Sequence, residues 1–130
     1  MSISVLVLGA PFENQACYTA YRYVQAALEL GQSIHRVFFY QAGVHSASRL
    51  ACPPRDEFDL YRAWQTLKTE HDLDLIVCIA AAARRGVIDP AEAKRHNKAT
   101  FNLAEGFELS GLGQLIEALT LSDQLLTFGE

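Results

Sequence analysis

A chain of 130 residues has the size of one domain and leaves no room for a second. Half of the residues are hydrophobic and a fifth are charged, which excludes a disordered tail or a low-complexity fibre. The net charge of −4 argues against a protein that binds nucleic acid directly by neutralising phosphates.

The first element is an apolar run, Ile3-Ser4-Val5-Leu6-Val7-Leu8, ending at Gly9-Ala10-Pro11. No basic residue precedes Arg22, so the run reads as a buried strand rather than a secretory signal. Ala16, Ala20, Tyr23, Val24, Ala27 and Leu28 recur at helical spacing, with Asn14 as a cap and Gly31 as a stop. Ile34–Tyr40 is β-branched and aromatic, the composition of a second strand.

Residues 41–55 form a polar connection that is long for such a link, so a binding role is suspected there. A second helix is expected from near Asp56, with Leu60, Trp64 and Leu67 on its buried stripe. Leu73–Ile79 is the clearest strand. Asp89-Pro90-Ala91-Glu92 combines a capping Asp, a Pro at the first helical position and a Glu in the first turn. Phe107-Glu108-Leu109 suggests a short strand, Leu112–Leu121 a helix and Gln124–Phe128 a last strand. The alternation predicts a single domain over residues 1–130, a three-layer α/β/α sandwich with a mostly parallel sheet of about five strands. No apolar run is long enough to cross a membrane; Leu75–Ala83 is the longest.

Three widely spaced cysteines, Cys17, Cys52 and Cys78, do not form a disulfide framework and point to a reducing, cytoplasmic setting. They contain no CxxC, which excludes the usual zinc and dithiol motifs. Ligands of open parallel sheets gather at the carboxyl ends of the strands. Cys78 lies at such an end, before Ala80-Ala81-Ala82-Ala83-Arg84-Arg85-Gly86. A helix N-terminus and nearby guanidinium groups would stabilise its thiolate; equally, it could be a small hydrophobe packed in a strand. Cys17 reads as a packing residue and Cys52 as a loop residue. His45, in the long connection, could serve Cys78 as a proton relay or be a solvated loop side chain; His35 should be structural.

Five of the eleven basic residues fall within 84–98, as an anion-binding patch or a solvated helix face. No GxGxxG, GK[ST] or GxSxG pattern is present, so neither a nucleotide cofactor nor a serine hydrolase is indicated, and no metal site is expected.

The run Cys78-Ile79-Ala80-Ala81-Ala82-Ala83-Arg84-Arg85-Gly86-Val87 resembles the active-site segment of the DsrE/TusD family of sulfur-relay proteins. So do Phe38-Phe39-Tyr40-Gln41-Ala42-Gly43-Val44, Asp56–Leu60 with Arg62-Ala63-Trp64, and Gly106–Gly113, in order along the whole chain. The resemblance implies a flavodoxin-like domain and a persulfide carrier without cofactor, in which Cys78 accepts sulfane sulfur and passes it to an acceptor cysteine. Arg84, Arg85 and His45 are then candidates for the persulfide's surroundings, the two arginines equally for a subunit interface. It further implies a heterohexamer with two paralogous small subunits (DsrF/DsrH-like), and donor and acceptor proteins of the DsrC or TusE kind. Overall likeness favours the sulfur-oxidation branch around DsrE. The TusD-like branch, serving tRNA 2-thiouridine synthesis, is the alternative, as is a non-catalytic flavodoxin-like binding or structural subunit.

Overall fold

The computed structural model describes residues 1–129. Five strands form one sheet: β1 (Ser2–Val7), β2 (Ser33–Phe39), β3 (Leu75–Cys78), β4 (Phe107–Ser110) and β5 (Gln124–Phe128). All are parallel, in the order β4-β3-β2-β1-β5. Between them run α1 (Ala16–Glu29), α2 (Leu60–His71), α3 (Ile79–Arg84), α4 (Pro90–Arg95) and α5 (Gly113–Leu121). The expected three-layer sandwich is therefore found, with a strand order that differs from the usual flavodoxin order 2-1-3-4-5.

From β1 to β4 the chain steps across the sheet in one direction, and only the β4–β5 connection runs back. Right-handed crossovers place α1 and α2 on one face and α5 on the other. The core on the α1/α2 face is built around Trp64, fully buried and set edge-on to Tyr21 and Phe39 at centroid distances of 5.5 and 5.2 Å. Because strand side chains alternate, Val5, Val7, Val37, Phe39 and Val77 share that face, and Leu6, Phe38, Ile76 and Cys78 lie on the opposite one.

Local signals account for most boundaries. The N-cap of α1 is Gln15 rather than the expected Asn14, whose Oδ1 accepts from the Ala16 N–H at 2.9 Å one residue ahead of it, and Gly31 follows the helix end at φ +80°. Asp89 accepts from the Glu92 N–H at 2.8 Å, with Pro90 in the first turn of α4. The start of α2 differs from expectation. It lies at Leu60 rather than near Asp56, because it is the Asp59 carboxylate that accepts from the Arg62 N–H.

The connection after β2 is also more ordered than its polarity suggested. Gln41–Ala47 is a 3-10 helix, and Ser48 bridges antiparallel to Leu103. The Ala104 N–H donates to the Ala47 carbonyl at 2.7 Å. These long-range bonds, invisible to local pattern, hold residues 47–49 against 102–104.

Candidate functional site

The connection leaving β3 crosses on the α1/α2 face, whereas that leaving β4 leads to α5 on the other. Loops from these neighbouring strands thus diverge, and the topological switch point lies between the carboxyl ends of β3 and β4. Cys78 is the last residue of β3 and pairs in register with Ser110, the last of β4. One thiol of this chain accordingly occupies the place where open α/β sheets collect their ligands.

Cys78 is at the same time the N-cap residue of α3, in extended conformation at φ −63°, ψ 118°, with no side-chain bond to the helix backbone. It is only 3% exposed. Of the two readings the sequence leaves open, a stabilised thiolate or a packed small hydrophobe, this burial agrees with the second without excluding the first. The burial follows from position: Cys78 ends a strand flanked on both sides and runs straight into a helix. What lies next to it is open. Ser110 is half-buried, Gly111 and Leu112 are exposed, and a Cβ added at Gly111 would meet nothing within 4 Å. This Ser110-Gly111-Leu112 turn is the part of the site not singled out from chemistry-bearing residue types; its signal was a glycine pair, Gly111 and Gly113, at a strand end.

The other two cysteines are differently placed. Cys17, in the first turn of α1, is fully buried, with its Sγ 3.2 Å from Ser46 Oγ in the 3-10 helix. Burial pushes this thiol up, against smaller opposing effects of Ser46 and Trp64 beside it. The Trp64 Nε1–H reaches no well-formed hydrogen bond. A raised thiol is protonated at neutral pH and a poor nucleophile. Cys52 is exposed in the loop before α2, and its Sγ–H donates to the Leu50 carbonyl at 3.2 Å.

Arg84 and Arg85 are exposed at the far end of α3. At ~1.5 Å rise per residue their backbones lie roughly 9–10 Å along the helix from Cys78. Arg85 donates from Nη1 to the Ala81 carbonyl at 3.1 Å, which closes the end of α3. His45 is half-buried in the 3-10 helix and lines a cleft of about 590 Å³ with Pro11, Glu13, Asn14, Ser48 and Tyr61. Cys78 is not part of that cleft. His35 is half-buried in β2, and its Nε2 has no partner. Among the described residues, no group of three or more His, Cys, Asp or Glu side chains is placed to hold a metal ion, and no helix is long and apolar enough to cross a membrane.

A sequence model of the DsrE/DsrF-like family matches residues 1–128. The chain is 42% identical to DsrE of Allochromatium vinosum over 130 residues, the whole of both proteins. It is 46% identical to the sulfurtransferase TusD of Photorhabdus laumondii over 128 residues, 98% of each. Among solved structures it superposes on the ychN protein from E. coli with a TM-score of 0.79 over 98% of this chain and 99% of that one, at 20% identity. That last likeness is one of fold.

Proposed function

Because this chain belongs to the DsrE/DsrF-like family, we propose that it is a sulfurtransferase subunit that carries sulfane sulfur on Cys78. The observation that carries the assignment is the position of Cys78 at the β3–β4 switch point, as the N-cap of α3. Names of relatives point the same way: TusD of Photorhabdus laumondii is named a sulfurtransferase.

The chemistry needs one thiol and no redox partner. The Cys78 thiolate attacks the outer sulfur of a donor persulfide, the donor S–S bond breaks, and the donor cysteine leaves as a thiolate. Cys78 then holds the persulfide. An acceptor thiolate attacks its outer sulfur in turn and releases the Cys78 thiolate. Each step exchanges one S–S bond for another, so electrons balance without a cofactor. The turn formed by half-buried Ser110 and exposed Gly111 and Leu112 is the side from which a partner reaches Cys78. The remote Arg84 and Arg85 fit contacts with a partner better than direct contact with the persulfide.

The subunit is proposed to work in a hetero-oligomer with paralogous small subunits of the DsrF and DsrH kind, in the cytoplasm. Exposed Leu112, Ile116 and Leu119 follow one face of α5, an apolar surface suited to subunit contact. Three free cysteines fit a reducing compartment. Sulfur oxidation is the proposed pathway and tRNA thiolation the alternative; identities of 42% to DsrE and 46% to TusD do not separate them.

Intact mass after incubation with polysulfide tests the assignment. With the exposed Cys52 removed, one added sulfur atom is expected on Cys52→Ser and on Cys17→Ser/Cys52→Ser, and none on Cys52→Ser/Cys78→Ser. Equal loading of Cys52→Ser/Cys78→Ser overturns it. The burial of Cys78 favours a second reading, in which the relay cysteine belongs to a paralogous subunit and this chain is structural. Undiminished sulfur transfer through a complex carrying Cys78→Ala would establish that reading instead.

A further inference from the structure

A groove of about 630 Å³ lies beside the C-terminal end of α3. Leu50, Ala83, Ile88 and Phe101 make it apolar, His96 and Lys98 add donors, and none of its lining residues is acidic. Its edge carries further positive charge. The Arg49 guanidinium stacks 4.2 Å from the Phe101 ring centroid and donates to the Phe101 carbonyl at 2.7 Å. Arg84 and Arg85 extend the charge along α3. Two carboxylates lie near the groove residues in the chain: Asp89, next to Ile88, accepts from the Glu92 N–H at 2.8 Å, and Glu92 is buried and paired with Arg95 at 3.3 Å and His96 at 3.1 Å.

The groove is held in shape by the chain itself. The Asn102 side chain donates to the Gly86 carbonyl at 2.8 Å and accepts from the Ile88 N–H at 2.9 Å. On the other side, the Arg49 N–H donates to the Asn102 carbonyl at 2.8 Å. An apolar floor with a cationic rim, on a chain whose net charge is −4, is a local reversal of sign. Such a reversal selects an acidic occupant and steers its approach.

We propose that this groove docks an extended acidic segment of a partner protein, its apolar side chain against Phe101 and Ile88 and its carboxylates toward Lys98 and Arg49. The inference rests on the sulfur-carrier reading for its purpose. The groove adjoins one end of α3 and Cys78 caps the other, a separation of roughly 9 Å along the axis that about three extended residues cover. A partner seated in the groove is thus held one helix length from Cys78.

The test is selection of a random dodecapeptide display library on the full-length protein. The expected peptides carry net negative charge and at least one large apolar residue. A synthetic copy should lose about tenfold or more in affinity to Lys98→Glu and to Ala99→Trp, and weaken as salt rises. Both positions are exposed groove residues, so unchanged melting temperatures are expected of the variants. Peptides without acidic excess, or equal affinity for both variants and the wild type, overturn the proposal. So does loss of peptide binding on assembly with the paralogous subunits, which would mean that a subunit covers the groove. Polysulfide loading of the same variants is read separately. Failure of the wild type to load while peptide binding persists defeats the carrier reading and leaves the docking site standing.

Discussion

Cys78 and Ser110 face each other as the last register pair of the β3–β4 ladder, where these neighbouring strands send their connections to opposite faces of the sheet. The pairing gives Cys78 a position suited to chemistry and, in the same stroke, buries it. The exposed surface beside it is the turn beyond Ser110, at Gly111 and Leu112.

The three thiols should react in a fixed order. Cys52 is exposed, Cys78 is buried beside an exposed turn, and Cys17 is buried within the core. Ellman's reagent on single Cys→Ser variants should modify Cys52 at once, Cys78 more slowly and Cys17 only on unfolding. Modification of Cys17 in the native protein at the Cys52 rate would contradict the packing described.

Gly43 is where the 3-10 helix passes over the end of β1. A Cβ there would collide with the carbonyl oxygen of Val7, a backbone atom held in the sheet. Gly43→Ala should cost about 1–3 kcal/mol in urea unfolding, as overpacking does. Gly111→Ala, facing open space, should lie within about 0.5 kcal/mol of the wild type, the range of surface substitutions. Equal stability of the two variants would show that the 3-10 helix is free to shift.

Alkaline pH should destabilise the protein partly through Cys17. Its folded-state value is raised by burial above the ordinary 9.0 of an unfolded thiol. Below that value both states are protonated and the full contribution is present. As pH climbs past it, the unfolded chain ionises first and stability falls until the folded thiol ionises too. Tyr21 and Tyr61, also raised by burial, act in the same direction from about 10. In Cys17→Ala the decline should begin at higher pH; chemical denaturation at intervals between neutral pH and alkaline pH measures it, and an unchanged onset would refute the role of this thiol.

Arg36 joins the sheet to α5. Buried in β2, it donates to Asp74 at 2.6 Å and to the Gln114 carbonyl at 2.8 Å, and pairs with Glu117 at 3.1 Å. Replacement by Ala should cost about 1–3 kcal/mol, the scale of hydrogen bonds to charged groups, since Asp74 and Glu117 are exposed enough to regain water. Loss of α5 protection in hydrogen exchange should accompany it. A wild-type exchange pattern would show that α5 is held by its apolar contacts alone.

What the sequence by itself determined is local. Apolar and β-branched runs mark the strands and period-3.6 patterns the helices, Asp89-Pro90 starts α4 as written, and Cys78 stands at a strand end by simple reading. Such signals arise between residues a few positions apart, where backbone geometry imposes them directly. Only the tertiary structure decided the rest: the strand order that sets the switch point beside Cys78, the bond between Ala47 and Ala104 that orders the long connection, the burial of Cys78, and the placing of His45 in a cleft of its own. These are relations between segments distant along the chain. Their energies come from which surfaces meet on folding, and no local spacing encodes that choice.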